Sequence, residues 1–279
     1  MLDTLQFLTQ IQPPRNYANI ESLNRVAEYL KKRFEDMGLE TSYQTYMIGD
    51  KEYKNVIATL NPHEQKRLVI GGHYDVCGDI QGADDNASAV AGVVESAKQL
   101  AKKAHELPFR IDFVCFTLEE PPYFATPQMG SYVYAQSLHQ NGIELIGMIN
   151  YEMIGYFSDE PNSQDFPIEF MKLIYPTTGN FIANVSNENS KEFLTKLNFQ
   201  GVEKKIDSYD IVLPDMLSTI TVSDHLNFWD LGYQAVMITD TAHFRNPNYH
   251  TINDTLETLD TTKMQYVIDM VVQAVCGLK

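Results

Sequence analysis

The sequence is short of basic residues, of cysteine and of long apolar runs, and each shortage removes a class of function. Lys and Arg total 21 against 37 Asp and Glu, a formal net charge of -16. So acidic a surface repels a phosphate backbone, which argues against nucleic acid as a partner. The three cysteines, Cys77, Cys115 and Cys276, are odd in number and lack the close paired spacing of a zinc knuckle or a disulfide framework. They read as small buried hydrophobes with no assigned chemistry, in a reducing compartment. No uncharged apolar run reaches membrane-spanning length. The opening Met1-Leu2-Asp3-Thr4-Leu5-Gln6 has an early acid where a signal peptide has basic and apolar regions. The expectation is a soluble, cytoplasmic protein with neither nucleic acid nor membrane as partner.

What remains is a chain of 279 residues, 44% hydrophobic, expected to fold as one domain over residues 1–279. Leu23, Val26, Ala27, Leu30, Phe34 and Met37 recur at helical spacing, with Gly38 as a C-terminal stop. Two further helices follow from Val90, Val93, Val94, Ala97 and Leu100, and from Met264, Val267, Ile268, Val271 and Val275, the latter capped by Asp260 or Thr261. Between them lie short continuous apolar runs at 68–70, 111–116, 145–149 and 235–238, as expected of strands buried on both faces. Alternating strands and helices predict an α/β fold, a mainly parallel mixed sheet flanked by helices on both faces. Residues 156–222 are less regular, with four prolines, a candidate strand at 181–185 and a candidate helix near 191–197. This segment reads as an excursion off the sheet that shapes a substrate pocket.

Each apolar run stops at side chains able to bind metal. The first ends in Gly71-Gly72-His73-Tyr74-Asp75, the second in Glu119-Glu120, the third in Asn150-Tyr151-Glu152. Beyond the carboxyl ends of parallel strands such residues converge in space. Asp75, two residues from His73, is placed to orient the imidazole through its second nitrogen. Asp84-Asp85 precedes the helix of Val90 to Leu100, and one acid can bridge a metal pair while the other caps or balances charge; spacing leaves open which. In Glu119-Glu120, adjacent carboxylates in extended chain point apart, so one can ligate metal while the other handles the proton of an attacking water. His250, in a loop after the last strand, adds a nitrogen donor. Histidines and carboxylates without cysteine suit zinc, with manganese or cobalt tolerated.

Together Gly-Gly-His-Tyr-Asp at 71–75, Gly-Ala-Asp-Asp-Asn-Ala at 82–87, Glu119-Glu120, Asn150-Tyr151-Glu152, Ser223-Asp224-His225 and Tyr249-His250-Thr251 resemble the co-catalytic zinc aminopeptidase family. Its relatives include bacterial leucine aminopeptidases, glutamate carboxypeptidase, glutaminyl cyclase and the non-catalytic transferrin receptor domain. The resemblance implies a zinc-peptidase-like three-layer sandwich and two Zn2+ ions. One is held by His73 and Glu152 and the other by Glu120 and His250, with Asp84 bridging, Glu119 as the catalytic carboxylate and Asp75 behind His73. It implies a peptide substrate and removal of its N-terminal residue. The approach Thr219-Ile220-Thr221-Val222 lacks the tyrosine that helps polarise the carbonyl in some relatives, and Asp224 and His225 are candidates to stabilise the intermediate instead. Pro121-Pro122 stands where many relatives have a glycine-containing turn. Arg245, close to His250, raises the alternative of a dipeptidase or carboxypeptidase that holds a substrate carboxylate. Glutaminyl cyclase and a receptor-like domain without activity are the remaining alternatives.

Overall fold

The computed structural model describes residues 1–214 and 222–278. Thr219, Ile220 and Thr221, and with them the missing tyrosine, lie outside the described residues. The strands are β1 (Glu40–Ile48), β2 (Lys51–Leu60), β3 (Arg67–His73), β4 (Arg110–Phe116), β5 (Leu145–Glu152), β6 (Phe181–Asn187), β7 (Asp207–Leu213) and β8 (Ala235–Thr239). They form one sheet in the order β1-β2-β4-β3-β5-β8-β6-β7. The four central strands, β4, β3, β5 and β8, run parallel, while β1, β2 and the β6–β8 pairing are antiparallel.

Helices α1 (Leu2–Gln10), α2 (Ile20–Glu35), α3 (Ala89–Ala101) and α7 (Thr261–Gly277) cover one face. On the other lie α4 (Gly130–Gln140) and α6 (His225–Asp230). A seventh helix, α5 (Lys191–Leu197), packs on the α7 side through Phe193 and Leu194. Alternation along β3 shows why its run is continuously apolar: Leu68 and Ile70 enter the core under α2, α3 and α7, and Val69 enters that under α4 and α6. Leu23, Val26, Ala27, Leu30 and Phe34 of α2 are all buried. Burying each of the larger ones contributes roughly 1.5–3 kcal/mol. Gly38 follows that helix at a φ of 79°, open to glycine at little cost. Asp260 caps α7 by accepting from the backbone N–H groups of Thr262 and Lys263.

The irregular segment corrects one expectation. It does not leave the sheet: β6 and β7, with residues buried on β6 throughout, extend it beyond β8. Phe166 from the loop before β6 packs with Phe181, Ala183, Val185, Ile211, Leu213 and Met237 into a separate apolar cluster on the α4 and α6 face.

Candidate metal centre

Because β4, β3, β5 and β8 are neighbours and parallel, their carboxyl ends open on one crevice. His73 ends β3, Glu152 ends β5, Glu119-Glu120 follow β4, and His250 lies on the loop after β8. The strands meet closely here. A Cβ on Gly71 would lie 2.5 Å from a ring carbon of Phe116, and one on Gly72 would lie 2.8 Å from the Tyr151 carbonyl oxygen.

The carboxylate of Asp85 stands between the two histidines. Its Oδ1 is 3.5 Å from His73 Nε2 and its Oδ2 is 3.0 Å from His250 Nε2. Each histidine has its own glutamate as well: Glu152 Oε2 is 3.5 Å from His73 Nε2, and Glu120 Oε2 is 3.3 Å from His250 Nε2. Glu119 Oε2 lies 3.8 Å from His73 Nε2. It is thus Asp85, and not the Asp84 expected to bridge, whose carboxylate stands between the two histidines. Asp84 turns the other way, accepting from the Gly155 N–H at 2.9 Å and from Asn246 Nδ2 at 2.7 Å. The physical reason is the backbone: Asp85 and Asn86 have non-helical torsions inside the turn Ala83–Ser88, so neither acid caps α3 and the two side chains diverge.

A second layer of groups holds these side chains. Asp75 accepts from the backbone N–H of Glu119 through Oδ1 and of Glu120 through Oδ2, both at 3.1 Å, and its Oδ1 is 3.5 Å from His73 Nδ1. It thus steadies three site residues rather than the histidine alone. Asp254 does the same for the other loop, accepting from the N–H groups of Asp84 at 2.8 Å and Asp85 at 3.0 Å. Glu152 Oε2 receives hydrogen bonds from Asn86 Nδ2 and from the Ser223 hydroxyl. Arg15, buried from the N-terminal segment, donates to the carbonyls of Tyr74, Gln81 and Gly82, tying together the loops that carry Asp75 and Asp85, and to that of Leu8. Sequence reasoning missed Asp254, Asn86, Ser223 and Arg15 as supports. Ser223 and Asn86 sat inside quoted motifs, whereas Arg15 is separated from its partners by about sixty residues and left no local signal.

Charge explains what the cluster is built to hold. Asp85, Glu119, Glu120 and Glu152 are all buried within a few ångströms of two imidazoles. Burial drives His73 toward neutrality, but Glu119 and Glu152 prevail and hold its proton well above the usual range. Burial likewise opposes the charge on His250, and Asp85 and Glu120 raise it to about 10. Burial, then Asp85, push Glu120 up to about 8. Glu119 is raised well above the carboxylate range by burial, with His73 pulling the other way. Asp85 resists its burial because His250 and His73 hydrogen-bond to it, and it stays well below that range. Protons thus neutralise a site with too much negative charge. Both ring nitrogens of His73 and Glu120 Oε1 are buried without a hydrogen-bond partner among the described residues, an arrangement that fits metal ligation. The donor set, nitrogen and carboxylate oxygen, suits a divalent ion such as zinc.

The remaining candidates divide. Asp224 is buried near His73, Glu152 and Asp75, and burial raises its carboxyl to about 7. His225 is buried edge-on against Trp229, 4.5 Å between ring centres, and burial lowers it to about 3. Arg245 is not exposed as a clamp on a substrate carboxylate would be. It is buried, donating to Gln164 Oε1 at 2.7 Å and to the Phe181 carbonyl at 2.8 Å, with its guanidinium 4.6 Å over the Phe181 ring. Cys77 is half-buried, and its sulfur lies within 4.8 Å of donor atoms of Glu120 and His250, where sequence reasoning gave it no role. Cys115 is buried in β4 as expected. Beside Glu152 and Tyr249 opens a mainly apolar pocket walled by Phe166, Met171, Ala183, Val185, Ile211 and Met237.

Comparisons with known proteins bear on the family and the fold. The uncharacterized protein YfbL of Escherichia coli is 37% identical over 278 residues, covering 96% of this chain and 84% of its own length. A probable leucine aminopeptidase of Trichophyton verrucosum is 25% identical over 256 residues, 88% of this chain, which spans only 62% of that relative. Among solved structures, the LapA aminopeptidase of Legionella pneumophila superposes with a TM-score of 0.75 at 17% identity, over 99% of this chain and 69% of that one. The glutaminyl cyclase of Tannerella forsythia does so with a TM-score of 0.74 at 20% identity, over 100% and 97%. At such identities these two establish the fold. The sequence match to Peptidase family M28 runs over residues 55–275. That match spans well over half of the chain's length, and the chain belongs to peptidase family M28.

Proposed function

We propose that the protein is a metal-dependent aminopeptidase that removes apolar N-terminal residues from peptides. The observation that carries the reading is the placement of Asp85: each of its oxygens faces a different histidine, and each histidine has a different glutamate beside it. Such a set has two equivalent halves around one shared carboxylate, as a two-metal hydrolase needs. His73 and Glu152 would hold one zinc and His250 and Glu120 the other, with Asp85 shared. When bound, the ions supply the Lewis acidity that polarises a scissile carbonyl and acidifies water.

The chain's own groups do the rest. Glu119 stands beside His73 with a carboxyl whose proton affinity is raised by burial, so it can take a proton from the attacking water and return it to the leaving amine. Asp75 fixes the backbone of Glu119 and Glu120 together, keeping proton transfer and ligation in register. The pocket beside Glu152 receives the side chain to be removed, and its apolar walls favour residues such as leucine over charged ones. The burial of Arg245 and its bond to Gln164 favour the aminopeptidase reading over the carboxypeptidase alternative, which needs that guanidinium open to substrate.

Metal analysis coupled to a hydrolysis panel tests the proposal. About two metal ions per chain and release of apolar residues from free N-termini are expected. One ion per chain with pyroglutamate formed from N-terminal glutaminyl peptides would replace it with a cyclase, and cleavage that depends on a free C-terminal carboxylate would replace it with a dipeptidase or carboxypeptidase.

A further inference from the structure

We propose that Cys77 is a ligand to the metal position of His250 and Glu120, giving that position a sulfur donor that the His73 and Glu152 position lacks. The inference rests on the two-metal reading above and extends it.

The sulfur of Cys77, a carboxylate oxygen of Glu120 and a ring nitrogen of His250 all lie within 4.8 Å of one another. Two donors on one tetrahedral zinc, sulfur at about 2.3 Å and nitrogen or oxygen at about 2.0 Å, are roughly 3.5 Å apart. The three atoms are therefore within an ångström or so of a shared coordination sphere, a gap that side-chain adjustment on metal binding would close. Glu120 is 3% exposed, and its Oε1 is buried with no hydrogen-bond partner among the described residues. Asp85 Oδ2, 3.0 Å from His250 Nε2, completes a set of one nitrogen, two carboxylates and one sulfur. These donor types suit zinc, and a fifth position on the ion would remain for the water that the proposed reaction needs. Cys77 sits four residues after His73, and Gly78 follows with a φ of 69°, so the loop turns immediately after the thiol. Coordination converts the thiol to thiolate, and its proton is released to solvent.

The consequence is an asymmetric pair. A thiolate favours zinc or cobalt over manganese, whereas the position of His73 and Glu152 offers only nitrogen and oxygen. The thiol also exposes one of the two metals to soft competitors.

Cobalt is the probe. The metal-free full chain is titrated with Co2+ while near-ultraviolet absorption is recorded, in the wild type and in Cys77→Ser and Cys77→Ala. The expected result is a sulfur-to-cobalt charge-transfer band in the wild type, absent from both variants, with zinc affinity at the position of His250 and Glu120 lowered roughly tenfold or more in Cys77→Ala. Far-ultraviolet circular dichroism of each variant confirms that it is folded. Two cobalt ions bound per chain without the band overturns the thiolate while leaving the aminopeptidase reading intact. A band that persists in Cys77→Ser also overturns it, since the sulfur is then another cysteine's. Failure to bind cobalt at all removes both readings.

Discussion

Adjacent carboxyl groups at 84 and 85 have their proton affinities driven in opposite directions by what faces them. Asp85 meets two imidazoles and is held well below the usual carboxylate range, whereas burial and Asp240 raise Asp84 well above it. Asp85→Asn should therefore lower the metal bound per chain, while Asp84→Asn should keep the metal and lose roughly 1–3 kcal/mol of stability, because the donors of Gly155 and Asn246 lose a full acceptor. Metal content and thermal unfolding of the two variants decide it, and the reverse pattern would restore Asp84 as the bridge. Glu119→Gln should retain metal and lose roughly 10² to 10⁴ in turnover, the usual worth of a positioned acid/base. Near-wild-type hydrolysis by that variant rules Glu119 out. The site also has a pH signature. Without metal, His250 and Glu120 titrate near 10 and 8 and so carry protons at pH 7. Metal must displace those protons, so its affinity should rise with pH between 6 and 8, by about tenfold per unit for each proton released. Calorimetry in two buffers of different ionisation heat measures the release; an affinity flat across that range contradicts the assignment. The identities of His73, Glu119, Glu120, Glu152 and His250 as candidates were legible because strand ends are visible in the sequence. The choice between Asp84 and Asp85 was not, since it depends on two non-helical residues inside a segment that looks like the start of a helix.

Elements that bury a continuous stripe announced themselves, and those that lie at edges did not. The periodicity of α2, α3 and α7 and the apolar runs of β3, β4, β5 and β8 follow from burial against a core on one or both sides. The edge strand β7 interrupts its buried residues, Ser208, Ile211 and Leu213, with exposed Asp207 and Asp210, and α6 spans only six residues, too short for a helical period to emerge. Hence the far side of the sheet looked like an excursion. Asp254 shows what an inter-element contact adds: it lies in the loop before α7, yet both its oxygens hold the N–H groups of the turn ahead of α3. Asp254→Asn replaces one acceptor with a donor facing an N–H group. Metal affinity should fall roughly 10- to 100-fold with secondary structure retained, as read by zinc titration and circular dichroism. Unchanged affinity would show that the turn needs no such anchor.

At the scale of the molecule, the proposed function draws chemistry and selectivity from different parts of the sheet. The candidate ligands cluster around the ends of the central parallel strands, while the pocket walls come largely from β6, β7 and the loop before them. Selectivity should therefore be adjustable without disturbing metal. Ala183→Leu, which fills the pocket from β6, should reduce kcat/KM for leucyl substrates relative to alanyl ones by roughly 10- to 200-fold at unchanged metal content, the range expected for added methylenes in an apolar pocket. Equal losses on both substrates would place the side-chain pocket elsewhere. Arg15 gives the outer layers a stake in the centre. Its guanidinium reaches from the N-terminal segment to the carbonyls beside Asp75 and before Asp85. Loss of that one side chain would thus be felt in two loops of the candidate site at once, although it bonds to none of the side chains that would hold metal.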